Sequence, residues 1–532
     1  MLLLLALPAA SRAGDVDVGA LLKETEEAVE KVDASLEQAA MLGSLAMAYA
    51  QRGDRQKAVK LLDRAVKLAI KNPAAGNKGW AQHALSARAI EEQAKLGDVA
   101  GAVKNAEAMR DALRLKFPEF GSVAKGQAQA GDVAGAWATC DLVDPQWGSW
   151  KGMALNQVAD ALAEAGRFDA ALQTVERIEK LPSQDDEARK MNRANRDNSL
   201  LMIAWEEAKR GQLKEAVRTA EKMNDHVSKA RTLQRLATIR FERGDQLGAR
   251  EAVGKASSIL ERQQNPQRQD LLFTAVCQAN VGDVPGALQT TSKLVEGPAK
   301  GYVLLAISIA QAKAGDRDQA ARTFNEGLAI ARKGNVEYWT LERAAINQAQ
   351  AGQFDRALEI AKSVDQPGGV LREVAVGLAK TGDIRRALEI ADSIKGDARD
   401  KAGALREIAA AQAKAGQRLA RQTFQRSFEA AMGDLEDVDG VRNIGLAQLR
   451  AGYVDAASDT FKEARQRASQ SNSDASHLMA ISQAQAGGGD PRGALTWARS
   501  QSSSLTKAWA LVGVVQGLTV GPEGQAGLFD SP

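Results

Sequence analysis

The sequence predicts an all-α fold, a solenoid of about thirteen helical hairpins stacked in series. Three observations predict it: a glycine-centred motif that recurs along most of the 532 residues, an alanine-rich composition, and few prolines. Hydrophobic residues make up 44% of the chain but aromatic residues only 4%, a balance that suits close helix packing better than β-sandwiches. The 12 prolines lie mostly between periodic segments, where they leave the helices intact. No strand is predicted.

The recurring motif is an alanine-rich stretch followed by glycine, often Asp or Gln, three variable residues and usually alanine, as in Gly315-Asp-Arg-Asp-Gln-Ala320. Glycine tolerates the left-handed conformation that ends a helix. An Asp after it can accept a backbone N–H at the start of the next helix. The motif therefore predicts two helices, one on each side of the glycine. The marker glycines are Gly53, Gly97, Gly131, Gly166, Gly211, Gly244, Gly282, Gly315, Gly352, Gly382, Gly416, Gly452 and Gly489.

The spacing of these glycines defines the repeat. From Gly53 to Gly489 there are twelve intervals, with a mean of about 36 residues. A longer polar insertion, Leu181–Asn198, lies between the fourth and fifth repeats. We predict that this insertion forms a projecting loop.

The repeat resembles the tetratricopeptide repeat, a helix-turn-helix of 34 residues. Two units match its pattern well, the first through Leu45, Ala46, Tyr49, Gly53, Ala58 and Ala65, and the eighth through Ile307, Ser308, Gly315, Ala320 and Phe324. The early Trp, the tyrosine and the closing Pro of that family are missing from most units. The resemblance covers residues 40–514 and implies a right-handed α-solenoid. It also implies that the first helix of each unit lines a concave groove for peptides or protein partners.

The remaining segments are short. Residues 1–13 are apolar and end in Ser11-Arg12-Ala13, which predicts a signal peptide and export to the periplasm or the exterior. A cytoplasmic chain with a frayed N-terminus is the alternative. Residues 14–39 are predicted to form an N-terminal capping helix, and the glycine-rich residues 515–532 a disordered tail. No later stretch is apolar for the roughly 18 residues that a membrane-spanning helix needs.

Composition and motifs argue against several functions. The 70 Lys and Arg residues are nearly balanced by 67 Asp and Glu, whereas nucleic-acid binders usually carry a basic excess. His83, His226 and His477 lie in different repeats without a second ligand at metal spacing. Cys140 and Cys277 are expected to be inert buried thiols. We find no phosphate loop or nucleophile motif, so we expect no catalytic residues, no metal and no cofactor.

A set of basic residues on the first helices is the candidate site. Positions ten and two residues before the marker glycine lie within about 80° of each other on a helix. In the tenth to twelfth units these positions hold Arg372 with Lys380, Arg406 with Lys414, and Arg442 with Arg450. This basic ladder is predicted to bind acidic peptides through their carboxylates. The alternative is a surface on which neighbouring helices supply the acids.

The sequence thus predicts a protein-interaction scaffold, with protein partners or acidic peptides and no small-molecule cofactor. The alternative is a nucleic-acid-binding repeat protein of the pentatricopeptide type, against which the even charge balance argues. The partner and the oligomeric state do not follow from the sequence.

Overall fold

The computed structural model is all-α, which confirms the predicted fold class. It describes residues 16–33, 35–71, 77–115, 119–144, 148–182, 185–262, 267–333, 338–434, 436–470 and 476–522. These residues form helices joined by short turns and contain no strand. The predicted signal peptide, residues 1–13, lies outside them. The chain divides into two compact units: unit 1 is Met1–Val143 with Leu405–Pro532, and unit 2 is Asp144–Ala404.

A first helix ends just before each marker glycine. These helices are α2 (Ser35–Gln51), α4 (Asn77–Lys95), α6 (Phe120–Ala130), α8 (Gly148–Glu164), α10 (Asp186–Lys209), α12 (His226–Glu242), α14 (Arg268–Asn280), α16 (Pro298–Lys313), α18 (Tyr338–Gln350), α20 (Gly368–Lys380), α22 (Ala398–Lys414), α24 (Val438–Arg450) and α26 (Ser476–Gly488).

A second helix follows each glycine, and in every hairpin except α22–α23 its contacts with the first helix are described, so these repeats are tetratricopeptide-like hairpins. The second helices are α3 (Arg55–Ala69), α5 (Val99–Leu113), α7 (Val133–Asp141), α9 (Phe168–Glu179), α11 (Leu213–Glu221), α13 (Gln246–Glu261), α15 (Val284–Ser292), α17 (Arg317–Arg332), α19 (Phe354–Ala361), α21 (Ile384–Ser393), α23 (Ala420–Ala431), α25 (Val454–Gln470) and α27 (Pro491–Ser500). Two further helices, α1 (Val18–Glu30) and α28 (Ser504–Thr519), lie outside this series.

The turns match their sequence prediction. All thirteen marker glycines have positive φ, between 67° and 118°, so each ends its first helix in the left-handed conformation. Asp54 accepts a hydrogen bond from the Lys57 backbone N–H at 3.0 Å and so caps α3. The same cap is made by Asp98, Asp132, Asp245, Asp283, Asp316, Asp383 and Asp490.

A buried side-chain network also ties the two helices of several hairpins together. Its centre is a glutamine four residues before the marker glycine. Gln127 donates to the capping Asp132 at 3.0 Å and accepts from Thr139 of the second helix at 2.6 Å. We call this arrangement the turn clamp. Parts of it recur as Gln93 with Asp98, Gln485 with Asp490, Gln278 with Thr290 and Gln448 with Thr460.

The glutamine-to-aspartate half of the clamp requires a second glycine, four residues after the marker. A Cβ at Gly135 would collide with the carboxylate of Asp132 and the amide of Gln127. Gly101 and Gly493 leave the same space in their hairpins. The clamp therefore depends on this second glycine as well as on the first.

The prediction of a projecting loop at Leu181–Asn198 is wrong. Residues 183–184 lie outside the described residues, but from Asp186 onward the segment is helical and lengthens α10 to 24 residues. Asp185 caps this helix by accepting the Ala188 N–H at 2.7 Å. Acids follow in the first turn, where they favour the helix dipole. The extension packs against α8 and α9, so the polar insertion is a longer first helix.

The first and last described helices, α1 and α28, pack against each other within unit 1. In α28, residues 508–517 are all buried. One side of α28 lies close against α26, because a Cβ at Gly513 would collide with the Met479 carbonyl oxygen. Another side contacts α1 and α2. The guanidinium of Arg499 pairs with the carboxylate of Glu24 through bonds of 3.0 and 2.8 Å, and its hydrogen bond lowers the pKa of Glu24.

Together, α28 and α1 form a composite hairpin made from the two ends of the chain. In it, α28 takes the place of a first helix and α1 that of a second. A terminal helix of a repeat array usually has a polar outer face, whereas α28 is apolar all round, as buried helices are. Helix α28 extends to Thr519, into the segment predicted as a tail, and residues 523–532 lie outside the described part of the chain.

The same substitution should have opposite effects at two exposed glycines of unit 2. Gly382 has φ 91°, whereas Gly254 lies inside the helix α13, and neither has atoms within 4 Å of a built Cβ. Gly382→Ala should lower the free energy of unfolding by roughly 1–2 kcal/mol. Gly254→Ala should raise it by about 0.5–1 kcal/mol. Chemical denaturation measures both, and equal effects at the two sites would contradict the turn assignment.

Removing α1 should loosen the other end of the chain. Deleting residues 1–31 removes Leu21, Leu22 and Val29, each buried and each contributing roughly 1.5–3 kcal/mol. We expect faster hydrogen exchange in α28, measured by mass spectrometry. Deleting residues 1–15 alone is the control and should leave α28 unchanged. Unchanged exchange in both proteins would show that the composite hairpin does not form.

Candidate partner-binding surface

The exposed side of the first helices is the candidate binding surface. Within unit 2, α12 packs on α14, α14 on α16, α16 on α18 and α18 on α20. Corresponding positions of successive first helices therefore lie side by side. Positions ten, six and two residues before the marker glycine are spaced by four, so they share one stripe of each helix.

A cavity of about 230 Å³ opens on this surface between α10 and α12. Leu201, Met202 and the ring of Trp205 line it from α10, and Leu236 lines it from α12. Charged groups stand around these apolar side chains. We call this site the Trp205 notch. Its charged residues are Glu164, Glu206, Lys209 and Arg235.

Two of the four charged residues of the notch, Glu206 and Lys209, are paired with each other. Lys209 lies 5.8 Å from the centroid of the Trp205 ring and 2.6 Å from the Glu206 carboxylate. Arg210 is also 2.6 Å from Glu206. Burial opposes ionisation of Glu206, but these two hydrogen bonds outweigh it and lower its pKa. Arg235 is exposed and makes no hydrogen bond or ion pair with any described residue. The notch thus combines an apolar floor with one unpaired cation.

The sequence analysis missed Trp205 although its signal was available. The residue stands six positions before Gly211, on the stripe that carries the basic ladder in later repeats. Aromatic residues are only 4% of the chain, so a tryptophan on this stripe is conspicuous. The basic ladder was predicted from charge alone, and charge marks only the other two positions of the stripe.

In unit 2, the basic ladder contributes Arg372 and Lys380. Arg372 lies 2.6 Å from Asp400 and 3.6 Å from Glu373. Burial raises the pKa of Asp400, Arg372 opposes this rise, and the carboxylates of Asp397 and Glu342 add to it. Arg372 therefore sits among acids of its own protein. Lys380 is exposed and has no ion pair with a described residue.

In unit 1, the ladder contributes four residues. Arg406 lies 2.9 Å from Glu407, and Arg442 lies 2.9 Å from Asp439. Arg450 is exposed and also interacts within the protein. Lys414 is exposed and forms no ion pair among the described residues. The three ladder arginines 372, 406 and 442 thus form ion pairs, and among the described residues the two lysines form none.

The described residues offer little else that is reactive. They contain no group of three or more His, Cys, Asp or Glu side chains placed to hold a metal. Both cysteines are buried, and burial raises the pKa of the Cys277 thiol to about 12. Across the same residues, every helix is too short or too polar to cross a membrane.

Comparison with known proteins yields distant structural likenesses only. No protein-family model matches the chain, and no curated protein matches it. Ton1535 from Thermococcus onnurineus NA1 is similar at 16% identity and a TM-score of 0.26, over 68% of this chain and 97% of its own. Yeast Tom70 is similar at 14% identity and a TM-score of 0.26, over 80% of this chain and 91% of its own. The structure of Naa15/Naa10 bound to HypK-THB is similar at 14% identity and a TM-score of 0.27, over 93% of this chain and 92% of its own. At this level the likenesses carry no argument about function.

The pairing of Arg372 with Asp400 predicts a pH-dependent loss of stability. Because the pKa of Asp400 is raised in the fold, its ionised form weakens folding at neutral pH and Arg372 offsets this. Arg372→Met should therefore cost up to about 1 kcal/mol at pH 7, since the pair is partly exposed. The cost should be smaller at about pH 4, because the raised pKa of Asp400 favours its protonated form as the pH falls.

Arg385→Met is the matched control, because Arg385 is 82% exposed and pairs with Glu389 along its own helix. This change should cost less than about 0.5 kcal/mol at either pH. Thermal unfolding at both pH values measures the two variants. A loss for Arg372→Met that does not change with pH would contradict the assigned pairing.

Proposed function

We propose that this chain is a protein-interaction scaffold that binds an extended segment of a partner protein along its first helices. The observation that carries the proposal is the Trp205 notch. An apolar cavity beside a tryptophan can take one hydrophobic side chain of a peptide, and tryptophans are frequent anchors of binding energy. The surrounding charges would then fix the direction of the bound segment.

The proposal assigns no catalytic step and no cofactor to this surface. What supports this is the chemistry of the notch: its acid Glu206 is engaged by two cations. Such a carboxylate is held ionised, so it cannot donate a proton, and both of its oxygens are already engaged, so it is a poor proton acceptor. The notch therefore favours binding over acid–base chemistry.

A preference for acidic peptides is the finer part of the proposal. It is supported by Arg235, Lys380 and Lys414, which are exposed and have no ion pair with a described residue. Such cations can pair with partner carboxylates without first breaking an internal contact. Each exposed contact is worth at most about 1 kcal/mol, so several must act together. Export through residues 1–13 also belongs to the proposal, and the N-terminal sequence of the mature chain tests it.

The notch can be tested by comparing two truncations of apolar residues in unit 2. Trp205→Ala removes the wall of the notch, whereas Leu247→Ala changes a side chain on α13 that is 83% exposed. Wild type and both variants would be used to capture proteins from native extract, with quantitation by mass spectrometry. We expect partners that are retained by Leu247→Ala and lost with Trp205→Ala.

Binding of peptides from such a partner then measures how much affinity each residue contributes. Trp205→Ala should weaken binding about 30-fold, the effect of losing roughly 2 kcal/mol. Lys380→Glu and Lys414→Glu should weaken the binding of acidic peptides by less than this. At high salt the variants and the wild type should bind such peptides equally, because salt screens the same charges. A partner retained equally by both truncations would contradict the notch as the site. Capture of single-stranded RNA instead of protein would support the pentatricopeptide-type alternative.

A further inference from the structure

The residue four positions before the marker glycine is the one that forms the centre of the turn clamp. In eight hairpins it is a buried glutamine: Gln93, Gln127, Gln278, Gln311, Gln348, Gln412, Gln448 and Gln485. An amide can donate and accept at once, so it can serve the capping aspartate and the threonine together. In the fifth hairpin the same position holds Glu207.

In this hairpin the acid and the amide have exchanged places. Glu207 is inside, and Gln212 follows the marker glycine where the clamp has aspartate. Thr219 still donates to Glu207, as the threonine of the clamp does. The other carboxylate oxygen, Oε2, is buried and receives no hydrogen bond from any described residue. Only 3% of Glu207 is exposed, and a buried acceptor without a donor is costly.

The orphan oxygen belongs to a residue that lines a cavity of about 660 Å³ between α9 and α11. Phe168 and Leu172 line the cavity from α9, Arg218 lines it from α11, and Lys222 lines it directly after the end of α11. Arg218 has only a distant acid, Glu215 at 3.9 Å, and Lys222 has no ion pair with a described residue. Burial raises the pKa of Glu207 and the carboxylate of Glu215 adds to the rise, whereas the Thr219 hydrogen bond and the charge of Lys222 oppose it.

We propose that this cavity binds a free amino acid, with the ammonium group at Glu207 and the carboxylate at Arg218 and Lys222. Charge-assisted hydrogen bonds from an ammonium would satisfy Oε2, and the two cations would receive the opposite charge. The volume falls within the range of small-molecule sites. Gln212, Glu215 and Arg218 on the solvent side are exposed, so rotations of these side chains can open a path to Oε2.

The chain itself supplies a folded control. The double variant Glu207→Gln with Gln212→Asp reproduces the eighth hairpin, which has Gln311 inside, Asp316 as the cap and no glycine four residues after its marker. It should melt at or above the wild-type temperature, because it removes the unpartnered carboxylate and adds a helix cap. Loss of binding in this variant therefore cannot be attributed to unfolding.

The experiment titrates the full chain with each of the twenty common L-amino acids by calorimetry. For those that bind, the N-acetyl derivative removes the ammonium and the amide removes the carboxylate. We expect Glu207→Gln, alone and in the double variant, to weaken binding about tenfold or more. Lys222→Met should weaken binding of the free amino acid while leaving the weaker binding of the amide unchanged.

Absence of heat with every amino acid at millimolar concentration would overturn the proposal, and so would binding that survives Glu207→Gln. An N-acetyl derivative that binds as well as the parent would overturn the ammonium assignment. Capture of protein partners should be the same for Glu207→Gln and wild type, because the Trp205 notch is a separate cavity. Failure of this site is thus distinguishable from failure of the proposed scaffold function.

Discussion

Every hairpin of this protein depends on how its first helix stops and its second begins. A glycine with positive φ ends the first helix, and the next residue begins the second, often as an aspartate that satisfies a free N–H group. Where a buried glutamine is added, it bonds both to that aspartate and to the second helix, as Gln127 does with Asp132 and Thr139. These bonds are short-range, so each turn can form before the hairpins stack. Stacking then only has to align units that already have the same geometry.

The fifth hairpin departs from this plan in several ways, and both candidate sites adjoin its first helix. Helix α10 is lengthened by the insertion, carries Trp205 on its exposed stripe, and holds Glu207 where glutamine is usual. A repeat array needs none of these features for its own stability, and the buried unpartnered carboxylate acts against it. Local departures of this kind are expected where a protein sacrifices internal consistency for a site. The repeat itself is the reference against which such a residue becomes visible.

The basic ladder shows what helix spacing alone leaves out. Within their own helices, Arg372 and Arg406 have no acid three or four residues away. Their observed partners come from other places: Asp400 at the start of the following first helix, and the adjacent Glu407. Packing of successive helices brings Asp400 within reach of Arg372. The flexible side chain of Arg406 reaches Glu407 directly. The balanced net charge of the chain is consistent with such local pairing of acids and bases. Cations without an ion pair to a described residue, such as Arg235, are exceptions to this pairing.

The sequence by itself determined the helices, the hairpins and most turn contacts, because the interactions that specify them join residues at most about a dozen positions apart. Marker glycines, capping aspartates and the small residues beside them are all readable in one repeat. The tertiary structure alone decided the rest. The packing of α28 on α1 joins helices that are far apart in the sequence. The tertiary structure shows it, because the apolar faces of α28 are covered by α1, α2 and α26. The helical form of the insertion depended on packing against α8 and α9. The Trp205 notch and the Glu207 cavity depend on how neighbouring helices are spaced, and spacing is set by the fit of whole surfaces, which no local pattern encodes.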